Sequence, residues 1–229
     1  MTITTCIFDA YGTLFDVSAA AREAAGEEGR EALAACWQKL AADWRSKQLQ
    51  YTWHRTLVGE HKVFWEVTQD GLDWALEANN LQGDAELRAR LLHLYWELSA
   101  YPEVPAMLAA LKDAGMNTAI LSNGSPDMLA GAVKSAGVEA FLDDVLSVED
   151  VGIFKPAPQV YELVTQRFSC TRRHVLFVSS NCWDALAAQG YGFQAVWVNR
   201  ASEPMDRLDH TPREVLRDLI RIPELARTI

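Results

Sequence analysis

Along this 229-residue chain the spacing of apolar positions changes character twice. Residues 3 to 8, ITTCIF, form a short β-branched and aromatic run that predicts a buried strand. From about residue 17 to residue 100 the period is helical. Leu33, Trp37, Leu40 and Trp44 step by four, three and four, which places them on one face of a predicted helix. Leu87, Leu91, Leu94 and Leu98 repeat that spacing in a later helix. Six of the eight tryptophans, at 37, 44, 53, 65, 74 and 96, lie in this block. Helix-bundle core is the expectation for most of them, with a few left for a pocket wall or a subunit contact.

Beyond SAYPEVP the pattern changes again. Val104, Met107, Leu108 and Leu111 predict a helix closed by Gly115. NTAILS then reads as a strand, DMLAGAVKSAG as a helix and DDVLSVE as a short strand. APQVYELVTQRF is a helix, HVLFVSS a strand, WDALAAQGYG a helix and QAVWVN a strand. Strands alternating with helices predict a parallel sheet covered on both faces. The first strand must join it, because an isolated strand is not stable. The expected fold is therefore α/β: a Rossmann-like parallel sheet flanked by helices, built from residues 1–16 and 101–229. A helical-bundle cap over residues 17–100 is inserted after the first strand.

Composition narrows the function classes. Apolar residues make up 49% of the chain and charged residues 23%, as in an ordinary globular protein. The first residues lack the basic start and apolar segment of a secretory signal, and no apolar run reaches the roughly 20 residues of a membrane span. A cytoplasmic protein is expected. The net charge of −10 argues against nucleic acid and anionic membranes as partners. Cys6, Cys36, Cys170 and Cys182 are scattered, and so are the five histidines, which speaks against zinc sites and disulfides.

Ligands of doubly wound sheets bind beyond the carboxyl ends of the strands. After the first strand stand Asp9, Tyr11, Gly12 and Thr13, and after the second Ser122, Asn123 and Gly124. Lys155 lies near the third. Ser179, Ser180 and Asn181 follow the fourth, with Asp184 just inside the next helix. Singly, each serine or asparagine is ordinarily a turn or helix cap, and Lys155 a solvated lysine. Together they bring polar groups from four strand ends to one edge.

In this order the segments resemble the haloacid dehalogenase superfamily, and FDAYGTLFDV, WRSKQLQYTW, LSNGSP, FKPAPQVYEL and FVSSNCWDA resemble its L-2-haloacid dehalogenases. The resemblance spans residues 3 to about 200. It implies Asp9 as nucleophile and, for the leaving halide, Arg45 from the cap with Asn123 and Trp183. It implies Thr13, Ser179 and Asn181 as groups orienting the nucleophile, Lys155 and the water, and Tyr161 as support for Lys155. Asp184 would be the base, Ser122 and nearby amides the carboxylate site. Tyr11, Leu49, Phe64 and Trp183 would enclose the alkyl group. A homodimer through the cap is implied as well. Ser46 and His54 depart from the family pattern, which leaves substrate range open more than reaction type.

Phosphate-transferring relatives hold magnesium with several carboxylates, one of them two residues past the nucleophile. Here that position is Tyr11. A metal-free, cofactor-free site follows. In it Lys155 keeps the two acids ionised, each attraction being worth about 4 kcal/mol at about 4 Å and an effective dielectric near 20. Such a carboxylate can attack C2 of a 2-haloalkanoate, inverting the centre and leaving an ester on Asp9. Two readings compete. A metal-dependent phosphatase of the same superfamily is opposed by Tyr11. A non-catalytic binding domain, like a phospho-acceptor receiver, has no use for a tryptophan-rich cap that shields substrate from water.

Overall fold

The computed structural model describes residues 2–229. Strand β1 (Thr5–Phe8) is followed by five helices: α1 (Ala19–Ala25), α2 (Glu31–Ala34), α3 (Trp37–Val58), α4 (Phe64–Ala78) and α5 (Ala85–Trp96). The chain then runs through α6 (Val104–Asp113), β2 (Asn117–Ser122), α7 (Pro126–Ser135), β3 (Asp144–Ser147) and α8 (Pro158–Phe168). It ends with β4 (Val175–Ser179), α9 (Cys182–Tyr191), β5 (Gln194–Val198), β6 (Glu214–Leu216) and α10 (Ile222–Thr228).

All six strands are parallel, in the order β3-β2-β1-β4-β5-β6. β1 and β4 are buried along their whole length, which is why TCIF and VLFVS read as continuous apolar runs rather than alternating ones. The order reverses at β1, so the crevice at its carboxyl end is the topological switch point. The ladder continues one residue past β1, where the Asp9 amide donates to the Val178 carbonyl at 2.9 Å. Asp9 is thereby fixed to the sheet rather than to a mobile loop.

The expected helix carrying Val104, Met107, Leu108 and Leu111 forms as α6, with all four buried and Gly115 at φ +71° behind it. Two expectations need correction. Leu33 and Trp37 do not share one helix: the backbone leaves helical geometry at Cys36 (φ −142°, ψ 9°), and α2 ends before α3 begins. In α5 the buried stripe is Leu87, Leu91, Leu92 and Tyr95. Leu94 is only half-buried, and Leu98 lies beyond the helix. β6 and α10 went unread, because EVL is too short and too exposed to carry a period.

The helical block leaves and rejoins the sheet at one place. The Asp16 amide donates to the Ser99 carbonyl at 3.0 Å and the Tyr101 amide to that of Leu14 at 2.9 Å. Within the block α3 packs on α4 and α1 on α5. Leu40, Trp44, Gln48 and Thr52 recur every four residues as the buried face of α3. That leaves Arg45 and Leu49 on the neighbouring face, toward the sheet.

Candidate active site

Asp9, at the end of β1, is 5% exposed, Lys155 1% and Asp184 wholly buried. Lys155 Nζ donates to Asp9 Oδ1 at 3.1 Å and to Asp184 Oδ2 at 3.0 Å. Asp9 Oδ2 accepts from Thr13 Oγ1 at 3.0 Å and Asn181 Nδ2 at 2.9 Å. The nucleophile candidate is thus held by three donors, which favour its ionised form and fix its plane.

The loops supplying these donors are tightly wound. Thr13, Leu14 and Phe15 all turn their amides to the Ala10 carbonyl. Gly12 sits at φ +87°, where a side chain would be strained and its Cβ would meet Ser180 Oγ at 3.0 Å. Thr13 spends its proton on Asp9 and so accepts at its oxygen, from the Ser180 amide at 2.8 Å. Ser180, named from the sequence only as one of the polar residues after the fourth strand, was given no role there. Trp197 anchors that turn through its indole N–H to the Ser180 carbonyl at 3.1 Å.

Two roles implied by the resemblance fall differently. Tyr161 touches Asp184 rather than Lys155: its hydroxyl donates to Asp184 Oδ1 at 2.7 Å, because α8 faces the first turn of α9. Ser179 reaches neither Asp9 nor Lys155. It accepts from the Asn181 amide at 3.1 Å and shapes the loop that presents Asn181. Ser46 and His54 are exposed on α3 and do not border the cavity that Asp9 and Lys155 line.

Electrostatics follow from burial. Desolvation opposes the charge on Lys155, but Asp184 and then Asp9 outweigh it and raise the ammonium's pKa above its ordinary value. Burial pushes Asp184 above the usual carboxylate range; Lys155 opposes this, while Asp9 adds to it. The result is a permanent cation beside an acid of enhanced basicity. Burial likewise holds Tyr161 and Tyr11 well above the ordinary phenol range, so both stay protonated.

Around these groups lie Tyr11, Arg45, Leu49, Phe64, Ser122, Asn123, Asn181 and Trp183, so every residue expected to enclose a substrate borders one cavity. It measures about 10 Å³, room for about one water. Arg45 reaches in from α3, donating to the Tyr11 carbonyl at 3.3 Å and to Asn181 Oδ1 at 3.4 Å. Asn123 accepts from the Lys155 amide at 3.0 Å through Oδ1. Ser122 Oγ accepts from the Gly124 amide at 3.0 Å. A Cβ at Gly124 would lie 2.7 Å from the Tyr11 ring, so any side chain there would push against that ring.

The helical block is clamped to the sheet around this cavity. The Phe64 amide donates to Glu149 at 3.1 Å, the Phe154 amide to Thr56 at 3.3 Å, and Trp53 meets Trp183 edge-on at 5.4 Å. Glu149 and Thr56 went unnoticed in the sequence, where nothing distinguishes them from surface polar residues. The donor set does not fit a divalent cation. Lys155 Nζ donates to both carboxylates, at 3.1 and 3.0 Å, and Tyr11, a buried phenol that stays protonated, adds no anionic ligand. Among the described residues no group of three or more His, Cys, Asp or Glu could hold a metal ion.

A buried carboxylate at the switch point, paired with a lysine and a second acid, is the arrangement expected of a hydrolase of the haloacid dehalogenase type. A family model of haloacid dehalogenase-like hydrolases matches residues 3–192, and the chain belongs to that family. Among curated proteins it is 42% identical over 223 residues to (S)-2-haloacid dehalogenase 1 of Pseudomonas sp. (strain CBS-3), covering 97% of this chain and 96% of the relative. It is 40% identical to the (S)-2-haloacid dehalogenase of Pseudomonas sp. (strain YL), with 96% and 93% covered. Among solved structures, the L-2-haloacid dehalogenase of Xanthobacter autotrophicus with chloropropionic acid covalently bound superposes with a TM-score of 0.89 at 33% identity, covering all of both chains.

Proposed function

We propose that this protein is an (S)-2-haloacid dehalogenase, converting short 2-haloalkanoates to (R)-2-hydroxyalkanoates and halide without a metal or other cofactor. The observation that carries the reading is the triply held Asp9 carboxylate beside Lys155, with Asp184 on the other side of the ammonium and Tyr11 in place of a second acid. The relatives of about 40% identity carry that activity in their names, and one neighbour has trapped a chloropropionic acid covalently.

In the first step an Asp9 oxygen attacks C2 from the side opposite the halogen. The carbon–halogen bond breaks, the halide takes the bonding pair and C2 is inverted. Arg45 and the Nδ2 end of Asn123 receive the halide, with Trp183 at the wall. Ser122 and the amides of the β2–α7 turn hold the substrate carboxylate. In the second step a water adds to the Asp9 carbonyl carbon and passes a proton to Asp184, which returns it to the departing hydroxyl. Thr13 and Asn181 orient Asp9, Tyr161 holds Asp184, and Ser179 holds the Asn181 turn. Tyr11, Leu49, Phe64 and Trp183 enclose the alkyl group.

Residues 17–100 act in this reading as a cap on a core of residues 1–16 and 101–229. Since the cavity admits about one water, the cap parts from the core to admit substrate. Among the described residues no helix is long and apolar enough to cross a membrane, and we place the enzyme in the cytoplasm. Exposed Trp53, Leu57, Val58, Val63 and Trp74 on the cap support a homodimer through that surface. Halide release from the separate S and R isomers of 2-chloropropionate tests the activity. Turnover of the S isomer alone is expected; R-selective turnover, or none with either, would contradict it.

A further inference from the structure

One arginine that the mechanism above does not use grips both chain segments joining the helical block to the sheet. Strand β5 ends in a turn that Asn199 closes in both directions. Its Nδ2 donates to the Glu203 carbonyl at 2.8 Å, and its Oδ1 accepts from the Glu203 amide at 2.8 Å. Arg200, next in the chain, leaves from that fixed turn. Its Nη2 donates to the Thr13 carbonyl at 3.0 Å, and its Nη1 pairs with Glu103 Oε1 at 2.8 Å. The guanidinium carbon lies 3.6 Å from the centre of the Tyr101 ring.

Thr13 lies on the segment that leaves β1 for the helical block, Tyr101 and Glu103 on the segment that returns. The two segments are already bonded to each other, from the Tyr101 amide to the Leu14 carbonyl at 2.9 Å. To anchor them beside β5, the Glu103 pair and the Tyr101 stack would be enough. The contact with Thr13 does something else. Among the described residues no other donor meets that carbonyl. Thr13 is also the residue whose hydroxyl donates to Asp9 Oδ2 at 3.0 Å and accepts from the Ser180 amide at 2.8 Å. A held carbonyl restricts the Thr13 main chain, and with it the place of that hydroxyl.

We propose that Arg200 is a positioning residue: by holding the Thr13 carbonyl it sets, through the Thr13 hydroxyl, the orientation of the Asp9 carboxylate for attack on C2. Because the same guanidinium grips Glu103 and Tyr101, that orientation is tied to the seating of both linkers of the cap. Arginine suits the task, since its planar fork offers separate donors to Thr13 and Glu103 and a face to the Tyr101 ring. The inference rests on the reading of Asp9 as nucleophile.

The test reads halide release in a single turnover of S-2-chloropropionate and then ester hydrolysis. Arg200→Met, which keeps an unbranched side chain and removes the donors, should slow halide release by roughly 10- to 100-fold, the scale of a misplaced reacting group. Ester hydrolysis depends on Asp184, which Lys155 and Tyr161 hold, and should keep its rate. Thr13→Val, which takes the hydroxyl from Asp9, should slow halide release by itself. In the Thr13→Val protein, Arg200→Met should then cost less than about twofold more, because the path through the hydroxyl is already gone. Glu103→Gln loosens Arg200 without altering it. It should slow halide release less, with the same dependence on Thr13, and serves if Arg200→Met does not fold. A folded Arg200→Met protein with parental halide release, equal losses in both steps, or effects of the two changes that multiply, overturns the inference. Parental release in Thr13→Val alone would place the failure in the reading of Thr13, and a parent that releases no halide would place it in the proposed function; either takes the inference with it.

Discussion

Replacing Tyr161 by phenylalanine removes one hydroxyl and leaves the ring among Phe177, Tyr191 and Phe193, at centroid distances of 5.7 to 6.2 Å. What is lost is the 2.7 Å bond to Asp184 Oδ1. A hydrogen bond to a charged acceptor is worth about 1.5–3 kcal/mol, and this one serves the ionised form only. Removing it strengthens proton binding at Asp184 by roughly 10- to 100-fold. Asp184 already lies above the ordinary carboxylate range through burial, so the change adds to an existing shift. The base works deprotonated, hence the acid limb of ester hydrolysis should move to higher pH and the ester should accumulate near neutrality. The halide burst should keep its rate, because Lys155 and Asp9 are untouched. Rapid-quench measurement of burst and steady phases across pH checks this. An acid limb that stays put, or a burst that slows as much as hydrolysis, would refute the assignment of Tyr161 to Asp184.

Arg45→Lys keeps a charge but loses the planar fork and its reach, and turnover should fall by roughly 100- to 1000-fold in a folded protein; steady-state halide release measures it. Activity on S-2-chloropropionate should survive exhaustive chelation and gain nothing from magnesium, since Lys155 donates to both carboxylates that a cation would need; halide release with and without chelator decides. Ser46→Gln and His54→Leu, which bring two departures toward the family pattern, change exposed positions on α3. Their kcat/KM across chain lengths should stay within about twofold of the parent, as expected for surface substitutions.

The sheet was legible because burial on both faces writes itself as continuous apolar runs; NTAILS is β2 residue for residue. Strand ends then pointed to Asp9, Ser122, Asn123, Asn181 and Asp184 without any knowledge of packing. Arg45, Leu49, Phe64 and Trp183 came only through resemblance, since the seam between helical block and sheet leaves no local period. Tyr161 was found but given the wrong partner, because sequence does not say which of two groups in contact with each other a third one meets. Tyr95 was readable in principle. It continues the Leu87–Leu91 spacing of four, but the leucines at 94 and 98 drew the stripe one position away. β6 was not readable: three residues, two of them exposed, carry no pattern.

The central claim is that Asp9 attacks carbon itself rather than activating a water. The two routes place the solvent oxygen on different molecules. With enzyme in excess over S-2-chloropropionate in heavy-oxygen water, the ester route takes the product hydroxyl from Asp9 and leaves the label on the enzyme. The first-turnover 2-hydroxypropionate should be almost unlabelled and the Asp9 peptide labelled, with label reaching product only in later turnovers. A fully labelled first product, with an unlabelled Asp9 peptide, would contradict the account and reduce Asp9 to a general base.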